Sequence, residues 1–303
     1  MKTSGTTALL LAGCLAALSL LATPAFAGDA PAKAPAPGTA DRASMQTMQI
    51  PSHGELLNAL VYVAEGPGPH PVVILLHGFP GNERNLDLAQ DMRRAGWDVV
   101  YFNYRGSWGT PGDFSFAHCI EDVASVIAYL RKPGNAAKLR LDPAKIVLVG
   151  HSMGGFMATQ GAAADPAVKG IALISGADMA GMYQQVRAKE PSAASAVKKV
   201  GASLAEEGLA PLHGVTPDGL AQELADHASI WVFPSTAAAL KGRPVFVISS
   251  DDGLAPLAGA YVDALKKAGD SQVTTLHLPT DHSYSDQRTE LSQALLRWLA
   301  TLK

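Results

Sequence analysis

Ile146-Val147-Leu148-Val149-Gly150-His151-Ser152-Met153-Gly154-Gly155 is an apolar run that ends in a G-x-S-x-G pattern. That order has the form of a strand-to-helix turn lifting one serine hydroxyl out at the top of a sheet. So sharp a turn strains the backbone at the serine and crowds its flanks, so positions 150 and 154 must lack side chains. The Ala- and Met-rich stretch from Met153 to Ala164 then reads as a helix. Its first N–H groups and positive dipole end would face negative charge developing beside the serine. With 29 glycines in 303 residues the five-residue pattern alone is a weak signal. Four aliphatic residues before it and a helical pattern after it supply the context the motif needs.

Outward from this turn, strand and helix patterns alternate. Residues 56–63 read as an early antiparallel strand, and Val72 to Leu76 is continuously apolar, as in a strand covered on both faces. A helix is expected over 86–95 with Gly96 as its stop. A strand follows over 98–102, then a helix on the stripe Ile120, Val123, Ile127 and Leu130. Further strands are expected at 146–149, 171–175, 245–249 and 273–278, and a closing helix carries Leu291, Leu295, Trp298 and Leu302 on one side. This pattern predicts an α/β fold with a mainly parallel central sheet flanked by helices. The alternation breaks over about 178–240, an Ala-rich, charged, Pro-punctuated stretch. We read it as a helical cap insertion over the strand ends; a long surface crossover is the alternative.

Residues 1–27 have the layout of a signal peptide: Lys2, an apolar run from Ala8 to Leu21, and Ala25-Phe26-Ala27 before Gly28. Export to a periplasm or the exterior is therefore expected. Leu11-Ala12-Gly13-Cys14 is similar to a lipobox, so a lipoprotein anchored to a membrane through Cys14 is the alternative; soluble export is preferred. Residues 28–44 (GDAPAKAPAPGTADRAS) read as a Pro/Ala-rich linker, and 45–303 as one large domain. Without the signal Cys119 is the sole cysteine, expected to be buried as a small hydrophobe. The net charge of −3 with no basic cluster argues against nucleic acid. H-E-x-x-H and paired C-x-x-C patterns are missing, so no metal or cofactor is expected.

Four segments together make the chain resemble the α/β-hydrolases from about Ile50 to the C-terminus: the Ser152 turn, His77-Gly78-Phe79-Pro80-Gly81, Ser250-Asp251-Asp252-Gly253-Leu254-Ala255-Pro256, and Thr280-Asp281-His282-Ser283-Tyr284. Their order is the family's nucleophile, acid, histidine. The resemblance implies Ser152 as nucleophile, His282 as general base and Asp252 as the acid that orients it. Asp252 is preferred to Asp251 because it stands four residues before Pro256, in the family's D-x-x-x-P register; Ser249 takes a place where the family often has glycine. The resemblance also implies an oxyanion hole from the N–H groups of Phe79 and Met153, since Pro80 has none. His77 is expected to hold its loop by hydrogen bonding. The loop Tyr104-Arg105-Gly106-Ser107-Trp108-Gly109 is similar to one that shapes the family's site rim, with Arg105 paired to a carboxylate. By chain order His118, His213 and His227 are poor candidates for the base.

These readings converge on an exported serine hydrolase that cleaves the acyl bond of a small molecule, a carboxylic ester first, with amide and thioester open. Met179, Met182, Tyr183, Trp231 and Phe233 in the expected cap could line an apolar pocket or simply be core. A serine peptidase or aminopeptidase of the same fold is the runner-up. A dienelactone-hydrolase-type activity is disfavoured, because that branch has cysteine at the position of Ser152. A catalytically silent binding module is the reading from a different class.

Overall fold

Aliphatic runs flanked by helices on both sides assemble into one eight-stranded sheet. In the computed structural model, which describes residues 41–303, the strands are β1 (Ser44–Ser52), β2 (Glu55–Val63), β3 (His70–Leu76), β4 (Asp98–Phe102), β5 (Leu141–His151), β6 (Gly170–Ile174), β7 (Val245–Ser249) and β8 (Val273–His277). Their order across the sheet is β1-β2-β4-β3-β5-β6-β7-β8. β2 pairs antiparallel with β1 and β4, and every pairing from β4 to β8 is parallel.

The helices are α1 (Leu86–Arg94), α2 (Phe116–Arg131), α3 (Pro133–Leu139), α4 (Met153–Ala164), α5 (Met179–Arg187), α6 (Ala193–Glu206), α7 (Pro217–Asp226), α8 (Phe233–Leu240), α9 (Ala255–Lys267) and α10 (Arg288–Ala300). Side chains of β3, β5 and β6 alternate between two separate apolar clusters, one on each face. Ile74, Leu148 and Leu173 join α2 and α4 on one side, while Val73, Val147 and Ile174 meet α1 and α10 on the other. Burial on both faces is what the unbroken apolar runs required.

Three elements depart from the sequence reading. β1 takes in Ser44, the last residue of the expected linker. Its side chains alternate between partly buried and exposed until the buried Ile50 and Ser52 near its end, with no aliphatic run to mark it, and its register comes from antiparallel pairing with β2. The short helix α3 starts at Pro133, and α9 carries a proline in its first turn, where the missing N–H is not needed. The expected signal peptide, Cys14 and residues 28–40 of the linker lie outside the described residues. Among the described residues no helix is long and apolar enough to cross a membrane.

Four helices, α5 to α8, fill the stretch between β6 and β7. α8 packs against α4 and α9 beside the sheet, so the excursion proper consists of α5, α6 and α7. Its anchorage is specific. The buried Asp178 caps α5 by accepting from Gly181 N (3.0 Å) and also accepts from Phe233 N (3.1 Å) at the start of α8. Glu223 on α7 accepts from Phe116 N and Ala117 N (3.0 and 2.9 Å), the opening residues of α2. A carboxylate there satisfies two orphan donors and meets the positive end of the helix dipole. A bridge between Ser107 and Leu212 ties the rim loop to the segment between α6 and α7.

Glu223→Ala should therefore destabilise the protein by about 1–2 kcal/mol, the usual cost of losing a charged cap. Urea unfolding of the variant beside wild type measures it; a midpoint equal to wild type would mean that the excursion is held elsewhere.

Candidate active site

Ser152 joins β5 to α4 at φ 56° and ψ −124°, a left-handed backbone for a residue with a Cβ. Such a conformation costs roughly 1–3 kcal/mol and persists only when its surroundings impose it. Here Ser152 N donates to Ile174 O (3.0 Å), while Ser152 O accepts from Gly155 N and Ala177 N (2.9 Å each). The flanks are as tight as the motif required. A Cβ on Gly154 would strike the backbone carbonyls of Leu76 and His77, and one on Gly150 would strike the Gly154 backbone.

The loop after β3 passes directly over this turn. A Cβ on Gly78 would lie 2.8 Å from Ser152 Cβ and 3.4 Å from its Oγ. Neither Phe79 N nor Met153 N is engaged by a protein acceptor among the described residues. Met153 opens α4, so its N–H has no intrahelical partner. The loop is held by Trp108 Nε1, which donates to Pro80 O (2.7 Å) under the Arg84 guanidinium, 4.3 Å above the ring. His77 is buried; its Nδ1–H donates to Gly78 O (2.8 Å) and its ring packs on Tyr104. Arg105 is buried on Asp122 (2.6 Å) and also pairs with Glu121, which fixes the rim loop to α2.

His282 stands on the loop after β8, and its Nδ1 lies 2.7 Å from Asp252 Oδ2, on the turn after β7. Asp252 is almost wholly buried. Burial pushes its carboxyl up, but hydrogen bonds from His282, Leu254 N and the Ser175 and Ser250 hydroxyls outweigh that and hold it well below the usual carboxylate range. An ionised carboxylate accepts only, so Nδ1 carries a proton here, and in the neutral imidazole Nε2 is then the lone-pair nitrogen. Asp251 faces elsewhere. Its side chain is exposed and meets His277 Nε2 (3.1 Å), whose other ring nitrogen lies 3.0 Å from Ser249 Oγ.

Sequence reasoning gave no role to His151, the variable residue of the motif. It is buried, its Nε2–H donates to His282 O (2.9 Å), and the two rings lie 4.7 Å apart. Burial first, and then the neighbouring His282, lower its pKa to about 4. Burial likewise lowers that of His77 to about 4, so both imidazoles are neutral at pH 7.

Ser152, Asp252 and His282 line one cavity of about 500 Å³ with Phe79 and Met153. The remaining wall is mainly apolar, including Met179, Met182, Val200, Leu204 and Leu224 from the excursion. Of the five cap residues singled out in the sequence, Met179 and Met182 reach the cavity, whereas Tyr183, Trp231 and Phe233 are buried in packing. Ser152 Oγ makes no hydrogen bond among the described residues; hydrogen bonds of catalytic groups are often long before substrate binds. The other histidines are used elsewhere: His118 bonds Asp113 O, His213 pairs with the Asp113 carboxylate, and His227 stacks on Trp231. Cys119 is fully buried. Among the described residues no three His, Cys, Asp or Glu side chains are grouped as metal ligands.

The depressed pKa of His151 has a measurable consequence. The unfolded chain takes up this proton near pH 6.5 and the folded chain only near pH 4. Wild type should thus lose stability relative to a His151→Gln variant as pH falls across that window. Asp98, pushed up to about 7 mainly by burial, acts in the opposite sense but is common to both proteins. Denaturant unfolding of the pair at several pH values reads the difference; a gap that does not change with pH would mean that His151 is already charged in the fold.

The geometry has counterparts among known proteins. A lipase in its open form aligns with a TM-score of 0.63 at 17% identity, covering 86% of this chain and 99% of that one. A highly thermostable carboxyl esterase from Bacillus coagulans gives 0.62 at 17% identity, with the same coverages of 86% and 99%. An esterase from Pyrococcus furiosus gives 0.60 at 13% identity, covering 86% and 93%. At such identities the likeness is one of fold. An uncharacterized 31.7 kDa protein of the traX-finO intergenic region of Escherichia coli is 38% identical over 113 residues, 35% of this chain. That match spans 37% of the relative's own length. The sequence profile of the alpha/beta hydrolase family matches residues 73–294, from β3 into α10, and the chain belongs to that family.

Proposed function

We propose that this chain is an exported serine hydrolase that cleaves carboxylic esters through an acyl-serine intermediate. The observation that carries the reading is the 2.7 Å contact between His282 Nδ1 and Asp252 Oδ2, at a cavity that Ser152 also lines. Family membership and the esterases and lipases among its structural counterparts support it. The apolar wall favours an acyl chain over a peptide. Export rests on the signal-peptide layout of residues 1–27.

In this reading His282 Nε2 takes the proton of Ser152 Oγ as the oxygen attacks the ester carbonyl carbon. The carbonyl oxygen gains the negative charge and is met by the N–H groups of Phe79 and Met153, each such donor contributing roughly 10²–10³ in rate. Collapse breaks the bond to the alkoxide, which leaves with the proton held on Nε2. Water, deprotonated by the same nitrogen, then attacks the acyl-serine; the acid departs and Ser152 recovers its proton. Asp252 stays ionised throughout, holding the Nδ1–H tautomer and stabilising the imidazolium.

Ser152→Ala should abolish turnover of p-nitrophenyl esters with the melting temperature little changed, and a fluorophosphonate should label wild type at Ser152 alone. Asp252→Asn should lower kcat by about 10⁴, the effect of losing tautomer control, whereas Asp251→Asn should stay close to wild type. Folded protein that neither labels nor turns over esters would be a silent module; a larger loss in Asp251→Asn than in Asp252→Asn would reassign the acid.

A further inference from the structure

Behind Asp252 lies a buried chain of hydroxyls that the steps above do not use. Tyr284 Oη stands 2.9 Å from Ser175 Oγ, and Ser175 Oγ stands 2.9 Å from Ser250 Oγ. Tyr284 and Ser250 are completely buried and Ser175 almost so. Ser250 stands two residues before Asp252 on the same turn, and both serine hydroxyls act on that carboxyl in the direction that keeps it ionised. Each hydroxyl has one proton, so in the order that favours the carboxylate Tyr284 donates to Ser175, Ser175 to Ser250, and Ser250 toward Asp252.

A buried tyrosine needs a partner for its hydroxyl in any protein, and a lone serine would serve. Two further features exceed that need. Ser175 and Tyr284 both hold positive φ, 44° and 58°, a costly backbone for residues with side chains. Tyr284 also belongs to the turn that carries the base: its N–H donates to Asp281 O (3.1 Å), one residue before His282. The Arg288 guanidinium closes the same turn by donating to Ser283 O (3.0 Å). One side chain thus touches the supports of both partners. Its backbone shapes the loop of His282, and its hydroxyl ends the chain that grips Asp252.

Resting on the triad reading above, we propose that Tyr284 is a positioning residue that keeps acid and base in register, acting on Asp252 through Ser175 and Ser250. Tyr284→Phe removes one oxygen and leaves the ring in place. The expected result is a fall in kcat of about tenfold with KM little changed, the effect of one lost charge-directed hydrogen bond. Ser250→Ala should give a similar loss. The double variant should be no worse than the poorer single one, because both cut the same chain. The downfield proton resonance of the His282 Nδ1–H should move further downfield in Tyr284→Phe, since a chain no longer polarised from its far end donates less strongly toward the carboxylate, which then accepts more strongly from the imidazole.

Wild-type kcat in Tyr284→Phe, losses that multiply in the double variant, or an unmoved resonance would each overturn the proposal. Activity retained by Ser152→Ala would instead bring down the triad reading, so the two failures are told apart.

Discussion

The tightest constraint in this protein is the near-contact of two backbones, where the end of β3 crosses the turn between β5 and α4. Carbonyls of Leu76 and His77 occupy the space a side chain at Gly154 would need, and Gly78 lies against Ser152. That approach brings a loop with an unengaged N–H over an exposed hydroxyl. It also forces Ser152 into its left-handed backbone, held by bonds to Ile174 and Ala177. The strain at one residue, the missing side chains at its neighbours and the path of the 77–81 loop are therefore one feature. Sheet order does the rest: β7 and β8 follow β6 in parallel, so the turns after them open at the same end as the serine.

Charge is distributed around that point in a consistent way. Two imidazoles are kept neutral by burial, His77 under the loop and His151 under the His282 backbone, where each serves as a hydrogen-bond donor. One carboxylate is kept ionised despite burial because it is surrounded by donors. Burial acts on all three groups. At the histidines it goes largely unopposed, whereas at Asp252 several hydrogen bonds to the charged form exceed it. The result is a single ionised group behind the only imidazole of the site that is substantially exposed to the cavity.

Much of this was legible in the sequence, for identifiable reasons. Continuous aliphatic runs marked β3, β4, β5, β6 and β7 because strands covered on both faces leave no room for alternation. Ser152, Asp252 and His282 stand in short segments whose residue types are dictated by local chemistry, and the structure brings them to one cavity. β1 is hard to read because an edge strand without an aliphatic run, beginning at the last linker residue, carries little periodic signal. α9 has a stripe of Ala258, Tyr261, Val262 and Leu265, but it stands between two stronger strand signals. The supporting residues could not be found by pattern. Ser175, Ser250 and Tyr284 are brought together by parallel pairing of β6 with β7 and by a loop 109 residues from the first of them. Tyr284 closes the T-D-H-S-Y segment, yet nothing local says where a phenol will point.

The placement of α6 bears on how such a protein diversifies. This helix packs chiefly on α5 and α7, while α5 and α7 themselves are fastened to the sheet layers through Asp178 and Glu223. It nevertheless contributes Val200, Ser203 and Leu204 to the cavity wall. The outermost shell of the fold thus touches the innermost part of the pocket. Drift in α6 alters which molecules fit without disturbing the crowded junction beneath, so novelty in substrate range has an address that is separate from the machinery.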